Sequence, residues 1–193
     1  MTDALLDGLT DYTSDERGDV GSWVRIACVK GLASFIRTLF MQAATLPSLS
    51  DYLPPLSFHN AIGGILKQGV ERLDNVRQQA GESFVDLLSL PLPDTGDPGR
   101  WQIQGATKMR ELFIGYVRVR ARVCALTCGR DSEKESVGWN DGSWLFPRAV
   151  QLLDIERYRE QLLAGIILST STKTDSTVRC LNVSIPSYLT ISL

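Results

Sequence analysis

The side chains best suited to chemistry are few and scattered. Cys124 and Cys128 sit four apart, which on a helix places both thiols on one face. A zinc site would need two further ligands, and the chain holds four cysteines (Cys28, Cys124, Cys128, Cys180) and one histidine, His59. Buried small side chains are the better reading of the thiols, and no metal is expected. His59 stands beside Asn60 after a Pro-rich loop, with no Ser or Cys motif to serve as its nucleophile. Gly63-Gly64 lacks the Gly-Lys-Ser/Thr ending of a phosphate loop. Carboxylates abound, but nothing in the sequence sets a pair in a cleft. We therefore expect no enzyme and no bound cofactor.

The chemistry that does recur is arginine against acid. Asp19 is followed by Val24, Arg25 and Ala27; Glu71 by Val76, Arg77 and Ala80. A third copy starts at Lys173, with Val178 and Arg179 and the nearer acid Asp175. The valines are 52 and 102 residues apart, so a degenerate copy is due near Leu126. Such a pattern suits the second helix of a HEAT-type pair: valine packs inward while arginine reaches an acid in the adjoining turn or repeat. Arg25 and Arg77 are thus read as structural, with an arginine finger as the alternative. Arg118, Arg120 and Arg122 form a basic stripe, either a solvated face or a contact for an acidic partner.

Arg17-Gly18-Asp19 spells an integrin tripeptide, but nothing indicates an extracellular loop. We read Gly18 as a turn, Asp19 as the cap of a helix starting at Val20, and Asp15, Arg17 and Arg25 as cross-links between loop and helix. Trp23 is read as core, with an interface anchor as the alternative.

The elements that must position these residues are helical. Between Glu71 and Leu90, Leu73, Val76, Ala80, Phe84 and Leu87 step by three and four into one apolar stripe, with Asp74, Arg77, Gln78, Glu82 and Asp86 facing water. Residues 20–40 form a helix with a broad apolar arc that includes Trp23, Val24, Ala27, Leu32 and Ile36. A shorter helix is expected at 58–68 and a further one at 103–125, the latter with Met109, Leu112, Phe113, Tyr116 and Val117 at helical spacing. Ser143 and Asp154 are expected to cap two more, with Pro147 in an opening turn. Pro47, Pro54 and Pro55, then Pro91 to Gly99, then 127–142 mark loops, and no β-hairpin is expected. The fold class is all-α, an α-solenoid of HEAT/armadillo-like helical repeats spanning 1–179. Residues 180–193 lose the pattern and carry no charge, and we read them as a truncated gene model or translated intron, with a natural variant as the alternative.

At 193 residues, 44% hydrophobic and 22% charged, the chain can bury a core. A net charge of −2 disfavours general nucleic-acid binding. No apolar run reaches the roughly 18 residues of a membrane span. Met1 to Leu9 carries Asp3 and Asp7 and lacks a signal-peptide pattern, so reduced thiols in a cytoplasmic protein are expected.

The stretch Asp11 to Arg25, DYTSDERGDVGSWVR, closely resembles the DYT-x-D-x-RGDVG-x-WVR signature of the tubulin-folding cofactor D family. Lys67 to Arg77, Leu152 to Arg159, Leu163 to Gly165 and Lys173 to Ser176 are similar to the same family, in its order and within its C-terminal domain. The resemblance implies a chaperone of the tubulin pathway. Such a protein binds β-tubulin, joins cofactors E and C and an Arf-like small GTPase, and assembles or dismantles the α/β-tubulin heterodimer. With cofactor C the assembly stimulates GTP hydrolysis by tubulin. It also implies a longer protein whose large N-terminal solenoid is missing here, and raises the standing of Asp15, Arg17, Asp19, Trp23 and Arg25 as partner contacts. A generic helical-repeat scaffold without tubulin specificity is the alternative.

Overall fold

The computed structural model describes residues 1–115 and 138–170. Helix is the dominant element: α1 (Thr2–Gly8), α2 (Gly21–Met41), α3 (Leu49–Tyr52), α4 (Pro55–Gly69), α5 (Asp74–Leu88), α6 (Ala106–Arg110), α7 (Gly142–Ala149) and α8 (Arg159–Thr170). The all-α expectation holds. Short 3-10 turns at Ala43–Thr45, Pro98–Trp101, Val150–Asp154 and Glu156–Tyr158 join them, and α6 runs on into a π turn, Glu111–Gly115. The third motif copy, the basic stripe at 118–122, Cys124, Cys128, Cys180 and the 180–193 tail lie outside the described residues.

Two helix pairs lie against each other. α2 packs on α5 and α1 on α4, while α4 is also covered by α8. Arg25 at the start of α2 meets Glu71 just before α5, and Arg37 near its end meets Asp86 near the end of α5, so the two helices run in the same direction. These are the helices that carry the two motif copies. The core follows from their apolar stripes: Val29, Leu32 and Ile36 of α2, Ala61, Ile62 and Ile65 of α4, and Ala80 and Phe84 of α5 are closed to solvent. Neither helix pair could hold these stripes out of water alone.

Phe84 sits edge-on to Phe113 and Trp139, with ring centroids 6.4 and 6.1 Å away, and Phe113 stacks on Trp139 at 4.6 Å. Trp139 lies so flat on α5 that a Cβ at Gly81 would fall 1.9 Å from its Cγ. The Gly63-Gly64 pair has a similar use: a Cβ at Gly64 would approach Leu9 Cδ1 to 2.6 Å.

Several expectations need correction. Trp23 is 65% and Val24 41% exposed, and Ala27 is exposed too, so the inward side of α2 is Arg25, Cys28, Val29, Leu32, Ile36 and Leu39. Val76 at the matching position is buried as expected. Arg77 does not face water; it is 1% exposed. Asp141, not Ser143, caps α7, accepting from the Ser143 backbone N–H at 2.9 Å and its hydroxyl at 2.6 Å. That bonding holds the Asp141 carboxyl below its ordinary range. Pro147 lies in the second turn of α7 rather than the first, and the helix tightens into 3-10 geometry from Val150. Asp154 pairs with Lys108 at 2.6 Å, and Ile155 holds the N-cap position of the turn that leads into α8.

Candidate partner-binding surface

The signature stretch folds into a device with a buried base and an exposed tip. Ser14–Asp15 and Gly18–Asp19 pair as a two-residue antiparallel hairpin, against the expectation of no hairpin. Gly18 takes φ +110°, a conformation that excludes ordinary side chains and lets the chain reverse tightly. The turn then feeds α2, whose first residue Gly21 donates its N–H to the Thr13 carbonyl at 2.9 Å.

At the base lies the Arg25 guanidinium, fully buried. Nη1 donates to the Asp11 carbonyl at 2.6 Å and to Asp19 Oδ1 at 3.0 Å; Nη2 donates to Asp19 Oδ2 at 3.0 Å and to Glu71 Oε1 at 3.1 Å. The planar fork thus satisfies two carboxylates and a carbonyl at once, a task suited to arginine and not to lysine. Tyr12 covers the guanidinium face, its ring centroid 4.3 Å from Cζ. Arg72 reaches Asp19 Oδ2 at 2.6 Å from the other side. Val20, not Asp19, holds the N-cap position of α2, which begins at Gly21; Asp19, one residue further out, accepts from the Ser22 N–H at 3.1 Å.

The charges respond accordingly. Its hydrogen bond from Arg25 holds the Asp19 carboxyl below the ordinary carboxylate range, with Arg72 adding to the effect. Burial pushes Glu71 upward, more than its bond from the Leu73 N–H and the nearby Arg25 charge pull it down. Arg25 itself is raised despite its burial, because Asp19 and Glu71 favour its charged form.

Arg77 occupies the same place in the second motif copy and performs a related task. It donates to the carbonyls of Glu71 at 2.9 Å, Arg72 at 2.9 Å, Trp139 at 3.1 Å and Asn140 at 3.0 Å, and pairs with Asp74. Both motif arginines are thus committed to the protein's own groups.

The exposed tip is separate from this network. Arg17 pairs with Asp15 at 2.6 Å and lies over the Trp23 ring, 5.9 Å from its centroid. The bond from Arg17 also holds Asp15 below its ordinary range. Asp15 stays within the loop, contrary to expectation, while Arg17 reaches α2 only through the Trp23 ring; the buried tie between loop and helix is Asp19 with Arg25. The five candidate residues therefore divide into Asp19 and Arg25, which brace, and Asp15, Arg17 and Trp23, which face outward. Glu71 was legible from its place in the repeat. Arg72 and Tyr12 were not singled out, although Arg72 adjoins the repeat acid and Tyr12 belongs to the signature.

Among the described residues, the remaining candidate, His59, has a structural place. His59 is buried with its Nδ1 2.8 Å from the Tyr158 hydroxyl, tying α4 to the turn before α8. Burial lowers the His59 pKa and pushes Tyr158 up to about 12. Among the described residues, no cluster of three or more His, Cys, Asp or Glu side chains could hold a metal ion, and no helix is long and apolar enough to cross a membrane.

No solved structure matches the chain. Residues 59–192, more than half of it, match the family model described as tubulin folding cofactor D C terminal. The described helical core from His59 in α4 onward falls within that match, and α2 with its hairpin is locked to it through Arg25 and Glu71. The chain belongs to the tubulin folding cofactor D C-terminal family.

Proposed function

We propose that this chain is a tubulin-chaperone module that works by holding partners rather than by catalysis. It binds β-tubulin and, together with tubulin cofactors E and C and an Arf-like small GTPase, takes part in assembling and dismantling the α/β-tubulin heterodimer. Its part in GTP hydrolysis is to hold tubulin in the competent conformation, a matter of differential binding between states. Its place is the cytoplasm, at the microtubule cytoskeleton. Family membership supports the tubulin link. The observation that carries the binding mode is Trp23, a large side chain left 65% exposed on a base fixed by Arg25, Asp19 and Glu71. An exposed tryptophan beside an arginine is the composition of an interface hot spot.

The test is capture of purified α/β-tubulin, and separately of the purified Arf-like GTPase, on the immobilised chain, wild type against Trp23→Ala. We expect tubulin to be retained and Trp23→Ala to weaken retention at least about tenfold, the loss of a hot-spot side chain, with an unchanged helical circular-dichroism spectrum. Failure to retain either partner would leave a generic helical scaffold as the reading.

A further inference from the structure

α2 spends one side on the core and shows the other to solvent. The exposed stripe runs Trp23, Ala27, Lys30, Ser34, Arg37, Met41, stepping by four and three along one line. Eighteen residue steps at 1.5 Å each make it about 27 Å long. Large apolar side chains mark both ends, Trp23 at 65% and Met41 at 73% exposure. Cations lie between them. The chain carries 22 acidic residues against 20 basic ones, yet Gly21–Met41 contains no Asp or Glu. Lys30 has no ion-pair partner among the described residues, and Arg37 holds only the open surface carboxylate of Asp86. Such an exposed pair contributes little and exchanges readily for an incoming acid.

We infer that this face of α2 docks an acidic amphipathic helix of a partner protein; the proposal takes the partner-holding reading above as given and names the chemistry of the partner. The alternating steps of four and three form a straight seam along which a second helix can lie at coiled-coil spacing. Its apolar side chains would cover Trp23 and Met41, and carboxylates one to two turns apart would meet Lys30 and Arg37. Ala27 and Ser34 leave room for close approach between these contacts. Trp23 supplies the anchor, while charge complementarity sets register and speeds encounter.

Of the four tryptophans, Trp101, Trp139 and Trp144 are buried, so emission changes on docking report Trp23. The probe is a synthetic alanine-based helix of about 20 residues, spanning roughly the same length, with leucines near both ends and four glutamates on the same face. Two comparison peptides carry lysines in place of the glutamates, or the same composition scrambled with prolines so that no helix forms. We expect a saturable blue shift with the acidic helix alone, weakened severalfold by high salt. Lys30→Glu should weaken it at least tenfold, while Arg157→Glu, an exposed charge reversal on another element, should not. An equal response to the lysine helix or to the scrambled peptide, or unchanged binding by Lys30→Glu, overturns the inference. If tubulin is retained equally by wild type and Lys30→Glu while the acidic helix stays inert, the α2 inference fails and the chaperone reading stands. If the helix binds and tubulin does not, the reverse holds.

Discussion

Arg25 and Glu71 meet across 46 residues of chain, Nη2 to Oε1 at 3.1 Å, with neither side chain open to solvent. Removing one member of a buried pair strands the other charge, which costs about 3–5 kcal/mol. Arg25→Met takes from buried Glu71 its Arg25 partner, removes a donor from the Asp11 carbonyl, and leaves Asp19 with only Arg72 and the Ser22 N–H. We expect urea unfolding to show a loss at or above about 3 kcal/mol, with part of it recovered when Glu71→Gln is added. A loss under about 1 kcal/mol, the scale of an exposed pair, would mean the pair is not buried in solution.

Asp19 and Glu71 give stability opposite pH slopes. Asp19 is held below its ordinary 3.8, so its contribution is present above that value and is lost as pH falls through the lower folded-state pKa. Glu71 is raised above its ordinary 4.5 by burial, so its ionisation subtracts stability as pH rises from that value through the folded-state pKa. Urea midpoints of Asp19→Asn should therefore fall less steeply in acid than wild type, and those of Glu71→Gln should lose the decline on the neutral side of 4.5. Identical pH profiles for all three proteins would refute the assignment.

Phe84 and Gly81 test the aromatic cluster from opposite directions. Phe84→Ala empties the space beside the stacked Phe113 and Trp139 rings and should cost about 3–5 kcal/mol. Gly81→Ala adds one methyl where Trp139 already lies, and overpacking of this kind costs about 1–3 kcal/mol. Near-UV circular dichroism should weaken in both variants, because Trp139 loses its fixed surroundings. A neutral Gly81→Ala would show that Trp139 does not rest on α5.

The α5 stripe was legible because its apolar residues repeat every three or four positions, and Val76, Ala80, Phe84 and Leu87 are all buried. Arg77 was misplaced by the same rule. A guanidinium reads as a wet residue, and the carbonyls that receive it at Trp139 and Asn140 lie 62 and 63 residues away. Trp23 was assigned inward because it is apolar, yet Val29, Leu32 and Ile36 had already fixed which side of α2 packs. Val24 copies Val76 in the motif but stays 41% exposed, on the side where a Cβ at Gly8 of α1 would lie 3.5 Å from its Cγ1. The arginine–acid pairing itself came directly from the repeat, since Arg25 does reach the acid of the next copy.

The Arg25 brace also bears on where this protein can be divided. The family-model match begins at residue 59, which invites a cut just before α4. Such a cut would leave Glu71 facing an empty socket, with Arg72 deprived of Asp19 and the groove of α5 stripped of α2. The smallest piece that keeps every one of those charges matched starts no later than Asp11, whose carbonyl closes the arginine's ring of acceptors.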